Sequence, residues 1–459
     1  MKMKFTAVTI ALTLWACAKT EGTGSTDSTS ASSTQVASTT ACAPNNGGIT
    51  LPAGFCATVF ADTIGHARDI VVGSNGDVYV NTWSGRYYSG PTHPGSFIVA
   101  LRDTNNDGKA DIIKRFGPDV SRRNGGGTGI GLYKGALYAE EGDTASKRIV
   151  RYAISTDSMT PAAKAEVIVN GLPANGDHPM HPFVIDASGN LFMDVGSATN
   201  SCQIENRTLQ SSGHKPCTEL QTRAGIWKYD ANKTNQRFST AGRYATGIRN
   251  AVGIALDPGG QLYSTQHGRD QLAENWPSLY SANQGQNLPA EELLKIEQGA
   301  DYGWPTCYFD DQQQELVLAP EYGGDGGKAV GECASKKAPE AYFPAHWAPN
   351  GLLFYSGAQF PAHYKNGAFI AFHGSWNRAP AAQQGYQVVF VPFSGGKPVD
   401  PATRETFADG FAGGPLGPAS NDNAAHRPVG LAQGPDGSLY IADDKAGRVW
   451  KVVYRGTAK

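Results

Sequence analysis

The chain has 459 residues, of which 56 are glycine and 27 proline, and only 17% are charged. A net charge of −2 offers no electrostatic basis for binding nucleic acid. Abundant glycine together with many tyrosines and phenylalanines favours a turn-rich β protein. Only the stretch 288–298, LPAEELLKIEQ, reads as helix.

Residues 1–17 read as a secretory signal. Lys2 and Lys4 precede an apolar run that ends Leu14-Trp15-Ala16-Cys17. Cysteine after a small residue resembles a bacterial lipoprotein cleavage site, which would make Cys17 a lipid anchor at the outer membrane; plain secretion into the periplasm is the alternative. Residues 18–41, rich in Ser, Thr, Ala and Gly, read as a flexible tether. The folded domain is expected over 42–459. It holds Cys42, Cys56, Cys202, Cys217, Cys307 and Cys333. An even number in an exported chain suggests disulfides, and proximity favours Cys42–Cys56, Cys202–Cys217 and Cys307–Cys333.

One pattern recurs along the domain: an apolar strand, a turn with glycine, and a second strand opening on an apolar-aromatic pair. Copies begin at Ala67, Gly129, His181, Arg249, Gly351 and Arg427. Six uneven repeats of this kind predict an all-β, six-bladed β-propeller. In such a fold the equivalent ends of the inner strands meet around the axis. Arg68, His181, Arg249 and Arg427 all stand at the beginning of a copy, so four potential cations are expected at one mouth. Arginine's fork suits planar carboxylates.

The fourth copy is the richest in polar groups. Arg249 and Asn250 precede its first strand, and Gln266-His267-Gly268-Arg269-Asp270 follows its second. Both ends of a strand-turn-strand lie on one sheet edge. Glu291, Glu292 and Tyr302 follow soon after, and a cation and an anionic ligand could share this place. Ahead of the third copy, Asp177-His178 makes His178 a candidate general base, since imidazole titrates near neutrality and a neighbouring carboxylate can orient it. In the fifth copy Trp376 could stack on a flat ligand and Arg378 could meet its charge. The run Asp103–Asp111, DTNNDGKAD, has oxygen ligands at alternate positions like a calcium loop, but lacks the closing Glu and reads equally as a hairpin turn. The glycines Gly125-Gly126-Gly127 read as a plain flexible loop.

Taken in order, Gly247-Ile248-Arg249-Asn250, Glu291-Glu292, Tyr302-Gly303-Trp304-Pro305, His373 to Arg378 and Arg427-Pro428-Val429-Gly430 resemble the pyrroloquinoline quinone (PQQ)-dependent glucose/sorbosone dehydrogenases. The likeness runs from about Leu51 to Tyr454 and is closest to the L-sorbosone dehydrogenase-like branch. It implies a propeller with PQQ and calcium at the channel mouth, and oxidation of an aldose or hydroxy-aldehyde by hydride transfer. By position it implies His178 as base. Arg249, Asn250, Arg378 and Arg427 would be cofactor contacts, with Gly268 and Arg269 at the calcium and Glu291, Glu292 and Tyr302 near a further calcium. A separate cytochrome or quinone would take the electrons. Two departures, Asn377 where glucose enzymes have lysine and Gly126 near a substrate glutamine, speak against glucose itself. A calcium-dependent lactonase or esterase on a similar propeller, and a surface binding module without chemistry, remain rival readings.

Overall fold

The computed structural model describes residues 42–82, 95–119, 127–142, 145–155, 157–419 and 423–456. The expected signal, the tether, Cys17, Gly125 and Gly126 lie outside the described residues. Six sheets follow one another along the chain, antiparallel except for the short strand Gln236–Arg237, which pairs in parallel with Glu166–Leu172. Their inner strand pairs are Ala67–Val72 with Val78–Thr82, Ile130–Tyr133 with Ala136–Gly142, and Phe183–Ile185 with Asn190–Val195. Then come Ile254–Leu256 with Leu262–Gln266, Pro349–Phe354 with Ala368–His373, and Pro428–Gln433 with Leu439–Asp443. These six pairs are the six copies read in the sequence, and we number the blades 1 to 6 by them.

Ring closure is visible in both packing and pairing. Each inner strand packs on the inner strands of the blades before and after it, and that of blade 6 returns to blade 1. A separate apolar cluster fills each of the six junctions, for example Tyr79, Phe97 and Phe116 of blade 1 against Leu137 and Tyr152 of blade 2. Burying both faces of every sheet explains why the strands are apolar on both sides. The last blade takes its outer strand from the beginning of the domain: Phe55–Ala61 pairs antiparallel with Val449–Tyr454.

The expected disulfides Cys42–Cys56, Cys202–Cys217 and Cys307–Cys333 are all present. The expected helix at 288–298 is not. Glu291–Lys295 is instead the third strand of blade 4, between Leu262–Gln266 and Ala341–Phe343. Its first four residues are buried, and burial between two ladders overrides the helical propensity of Glu and Leu. Among the described residues, no helix is long and apolar enough to cross a membrane.

Candidate active site

The loops that open the inner strands and those that follow the second strands share one face of the ring. From blade 3 come His178 and the Val195–Asn200 turn, from blade 4 Arg249 and the His267–Asp270 loop, and from blade 5 the Trp376–Arg378 loop. Asp270 joins them. Its carboxylate accepts from Arg249 Nη2 at 2.9 Å, Arg207 Nη2 at 3.0 Å and Asn377 Nδ2 at 2.8 Å. Burial opposes its ionisation, but Arg249 and Arg207 outweigh that and hold the carboxyl well below its usual range.

Arg249 is 3% exposed, and its guanidinium also donates to the Asn200 carbonyl, Asn200 Oδ1 and the Gly268 carbonyl. Asn250 Nδ2 lies 3.2 Å from His267 Nδ1. Burial, then Arg249, pushes the His267 imidazole down to about 3.

His178 is buried, with Nδ1 3.0 Å from the Ser197 carbonyl and 2.9 Å from Ser197 Oγ. The orienting group is therefore Ser197. Asp177, expected in that role, directs Oδ2 to Arg207 Nε at 3.0 Å. Burial pushes the His178 imidazole well below its ordinary value, and Arg249 and His267 add to this. Such a shift favours the neutral imidazole near physiological pH.

Arg207 carries no signal in the sequence. The Cys202–Cys217 loop delivers it between Asp177 and Asp270. Only its placement in a disulfide-closed insertion after blade 3's second strand could have pointed to it.

The remaining candidates divide. Arg378 is buried and donates to the carbonyls of Gln286, Ala345 and Ala382 and to Asn287 Oδ1. It has no carboxylate partner among the described residues. Trp376 beside it is 48% exposed. Arg427 donates to the His373 and Gly374 carbonyls at the base of the same loop. Arg68 and His181 stand apart from Asp270. Arg68 pairs with Asp444 at 2.5 Å, and Asp444 also meets His373 Nε2 at 2.8 Å. His181 meets Glu140 through both its amide and Nδ1. Both residues fasten one blade to the next.

The expected calcium ligands do not gather. Glu291 accepts the Gly268 and Ala348 amides, bracing blade 4 against blade 5. Tyr302 is core, its hydroxyl on the Lys295 carbonyl. Glu292 takes Gln266 Nε2 on one oxygen, and its other is buried without a partner. Glu292 and Arg269 both line one cavity, and the Arg269 guanidinium pairs with Glu321 at 2.6 Å. Burial raises both Glu291 and Glu292 to about 8. Among the described residues, no group of three or more His, Cys, Asp or Glu could hold a metal. In the Asp103–Asp111 loop the carboxylates of Asp103, Asp107 and Asp111 and the Asn105 side-chain oxygen accept the loop's own amides, as in a hairpin turn.

Comparisons agree with this architecture. A curated relative, the pyrroloquinoline quinone-dependent pyranose dehydrogenase of Coprinopsis cinerea, is 29% identical over 233 residues, covering 44% of this chain and 30% of the relative. The chain spans less than half the length of the curated relatives it matches. Among solved structures, the calcium structure of Trichoderma reesei Carbohydrate-Active Enzymes Family AA12 aligns with a TM-score of 0.67 at 20% identity, over 89% of this chain and 97% of that one. The holo form of the Coprinopsis cinerea pyranose dehydrogenase PQQ domain gives 0.64 at 22% identity, over 88% and 97%. At such identities these structures speak for the fold. A family model described as TrAA12-like matches residues 49–455, nearly the whole described domain, and the chain therefore belongs to the TrAA12-like family.

Proposed function

We propose that the protein is a PQQ-dependent dehydrogenase that oxidises a CH–OH group of an aldose or related hydroxy-aldehyde. The observation that carries this reading is a neutral, oriented imidazole, His178, set among Arg249, Asp270 and the blade 5 loop that bears Trp376 and Arg378. The Coprinopsis relative supports the cofactor. So does Arg378: a buried guanidinium held only by neutral acceptors suits an anionic, planar, carboxylate-bearing group. Arg249, Asn250, Trp376, Arg378 and Arg427 are the residues that would face it. Bound PQQ would supply a two-electron acceptor.

The chain's own contribution is proton removal and orientation. His178 Nε2 would take the proton of the substrate hydroxyl, and the hydride leaving the carbon would go to the two-electron acceptor that bound PQQ supplies. Arg249 offers positive charge where negative charge builds up on reduction. Asp270 keeps Arg249, Arg207 and Asn377 in one arrangement, so three blades present a single preorganised surface. Electrons leave to a separate cytochrome or quinone.

Calcium is an expectation from the resemblance and from the Trichoderma structure. Among the described residues the side chains do not compose a calcium site, so an ion there would depend on backbone carbonyls such as those of Gly268 and Arg269. Export with a lipid anchor at Cys17 is likewise proposed, and detergent-dependent release from membranes would test it.

The deciding experiment is reconstitution of purified protein with PQQ, with and without calcium, followed by dye reduction across a sugar panel. Sugar-dependent reduction is expected. Lactone hydrolysis without PQQ would favour the lactonase, and PQQ binding without turnover on any sugar would favour a binding module.

A further inference from the structure

Ser197 sits at the centre of the site, yet nothing in its type or sequence position marks it. It is fully buried. Its amide donates to the Arg249 carbonyl at 2.8 Å, and its carbonyl accepts the His178 amide at 3.3 Å. The preceding Gly196 leaves no room for a side chain, since a Cβ there would lie 2.5 Å from the His178 Cβ. The turn and the histidine are therefore packed as one unit, and Ser197 ties the imidazole to the Arg249 backbone.

The hydrogen-bond directions around Ser197 admit one solution. Its hydroxyl lies 2.6 Å from the Thr199 carbonyl, which can only accept, so the hydroxyl proton points to Thr199. Thr199 is itself held: its amide and hydroxyl, with the Ala198 amide, donate to the Glu219 carboxylate. The Ser197 Oγ lone pairs are then turned toward His178 Nδ1. The second atom facing Nδ1, the Ser197 carbonyl, has no proton to give. Both partners of Nδ1 are acceptors, and Nδ1 must carry the hydrogen. A lone pair on Nδ1 would meet the carbonyl lone pair at 3.0 Å. Nε2 has no protein partner among the described residues.

We propose that Ser197 is a positioning residue that locks His178 in the Nδ1–H tautomer, leaving the Nε2 lone pair free for the substrate hydroxyl. The proposal rests on His178 as the base and deepens that reading. It replaces the carboxylate that commonly stands behind a catalytic histidine with an uncharged pair of acceptors. An uncharged partner orients the ring without stabilising its protonated form. The groups that face His178 are Arg249, His267, Asp270 and Arg207, with Asp177 adjacent in sequence.

Nitrogen-15 spectra of the full chain with labelled histidine test the tautomer, with His178→Gln assigning the signal. A protonated Nδ1 and a bare Nε2 near neutral pH are expected, and an Nε2–H tautomer would overturn the proposal. Ser197→Ala removes Oγ but keeps the carbonyl that faces Nδ1, and should lower kcat by up to roughly 10–100-fold, the range for a metal-bound histidine that loses its outer partner, with PQQ affinity unchanged. Ser197→Thr should restore most of the rate. Ser197→Asp should move the acid limb of the pH profile upward, because a carboxylate would favour the imidazolium; an unmoved limb in a folded, PQQ-binding variant counts against the positioning role. Failure of the base reading looks different: His178→Gln would keep full turnover whatever the spectra show.

Discussion

At the scale of single residues, the site depends on charges whose partners are already specified by the fold. His178→Gln should keep PQQ affinity while kcat/KM falls by about 10²–10⁴-fold, the usual effect of losing a general base. Burial and Arg249 depress the imidazole, so the base form persists below neutrality. The acid limb of the wild-type pH profile should therefore lie well under the ordinary histidine value of 6.5. The same shift bears on stability. A folded-state pKa below the unfolded one means that the unfolded chain binds a proton the native state refuses, so stability is lost as pH falls below that ordinary value. His178→Gln should then lose less stability than wild type between about pH 7 and about pH 5 in paired thermal melts. Arg378 makes a separate prediction. Its guanidinium has only neutral acceptors, so Arg378→Ala should weaken PQQ binding by about 1.5–3 kcal/mol, read by fluorescence titration. Unchanged affinity would mean that the half-exposed Trp376 and Arg249 suffice.

At the scale of elements, the loops after the second strands carry the site. The Cys202–Cys217 loop brings Arg207 to Asp177 and Asp270, and the crosslink closes 15 residues of sequence separation. Replacing both cysteines with serine should lower stability by about 3 kcal/mol on the chain-entropy estimate for such a loop. It should also free Arg207 and reduce turnover before the propeller unfolds. Activity measured across a mild denaturant series would separate the two effects. Glu291–Lys295 shows the limit of local pattern. Its Glu-Glu-Leu-Leu-Lys composition suits a helix, but its neighbours in space are two strands far away in sequence. The Gly268 amide and the Ala348 amide then occupy the Glu291 carboxylate, which the resemblance had placed at a cation.

At the scale of the molecule, the ring is held shut by contacts between its two ends. Phe55–Ala61 completes blade 6, and Arg68 of blade 1 pairs with the buried Asp444 of blade 6. Burial opposes the Asp444 charge, yet His373, Arg68 and Arg427 outweigh it and hold the carboxyl far below its usual range. Asp444→Asn takes the carboxylate away from the buried Arg68 and from His373, which should cost about 3 kcal/mol or more. Because His373 and Gly374 also receive Arg427, the blade 5 loop should loosen as well. Urea melts with a PQQ titration on the same variant would show both losses, and a melt identical to wild type would rule out this closure as a main support.

The sequence by itself determined the repeat, and with it the architecture. Apolar-turn-aromatic pairs recur six times because each blade must bury both faces against its neighbours, a demand every copy meets locally. The disulfides were legible for a related reason: their partners are close along the chain. Arg249 stood out because it holds the same place in its copy as Arg68, His181 and Arg427 hold in theirs, and His178 because Asp177 adjoins it and the resemblance matches it. Tertiary structure alone decided how those charges are spent. Arg68 and His181 pair with Asp444 and Glu140 of adjoining blades, Asp177 turns to Arg207, and Ser197 takes the place behind His178. Each of these pairings joins residues from different strands or loops, and hydrogen-bond direction and burial act through space, where chain order carries no information.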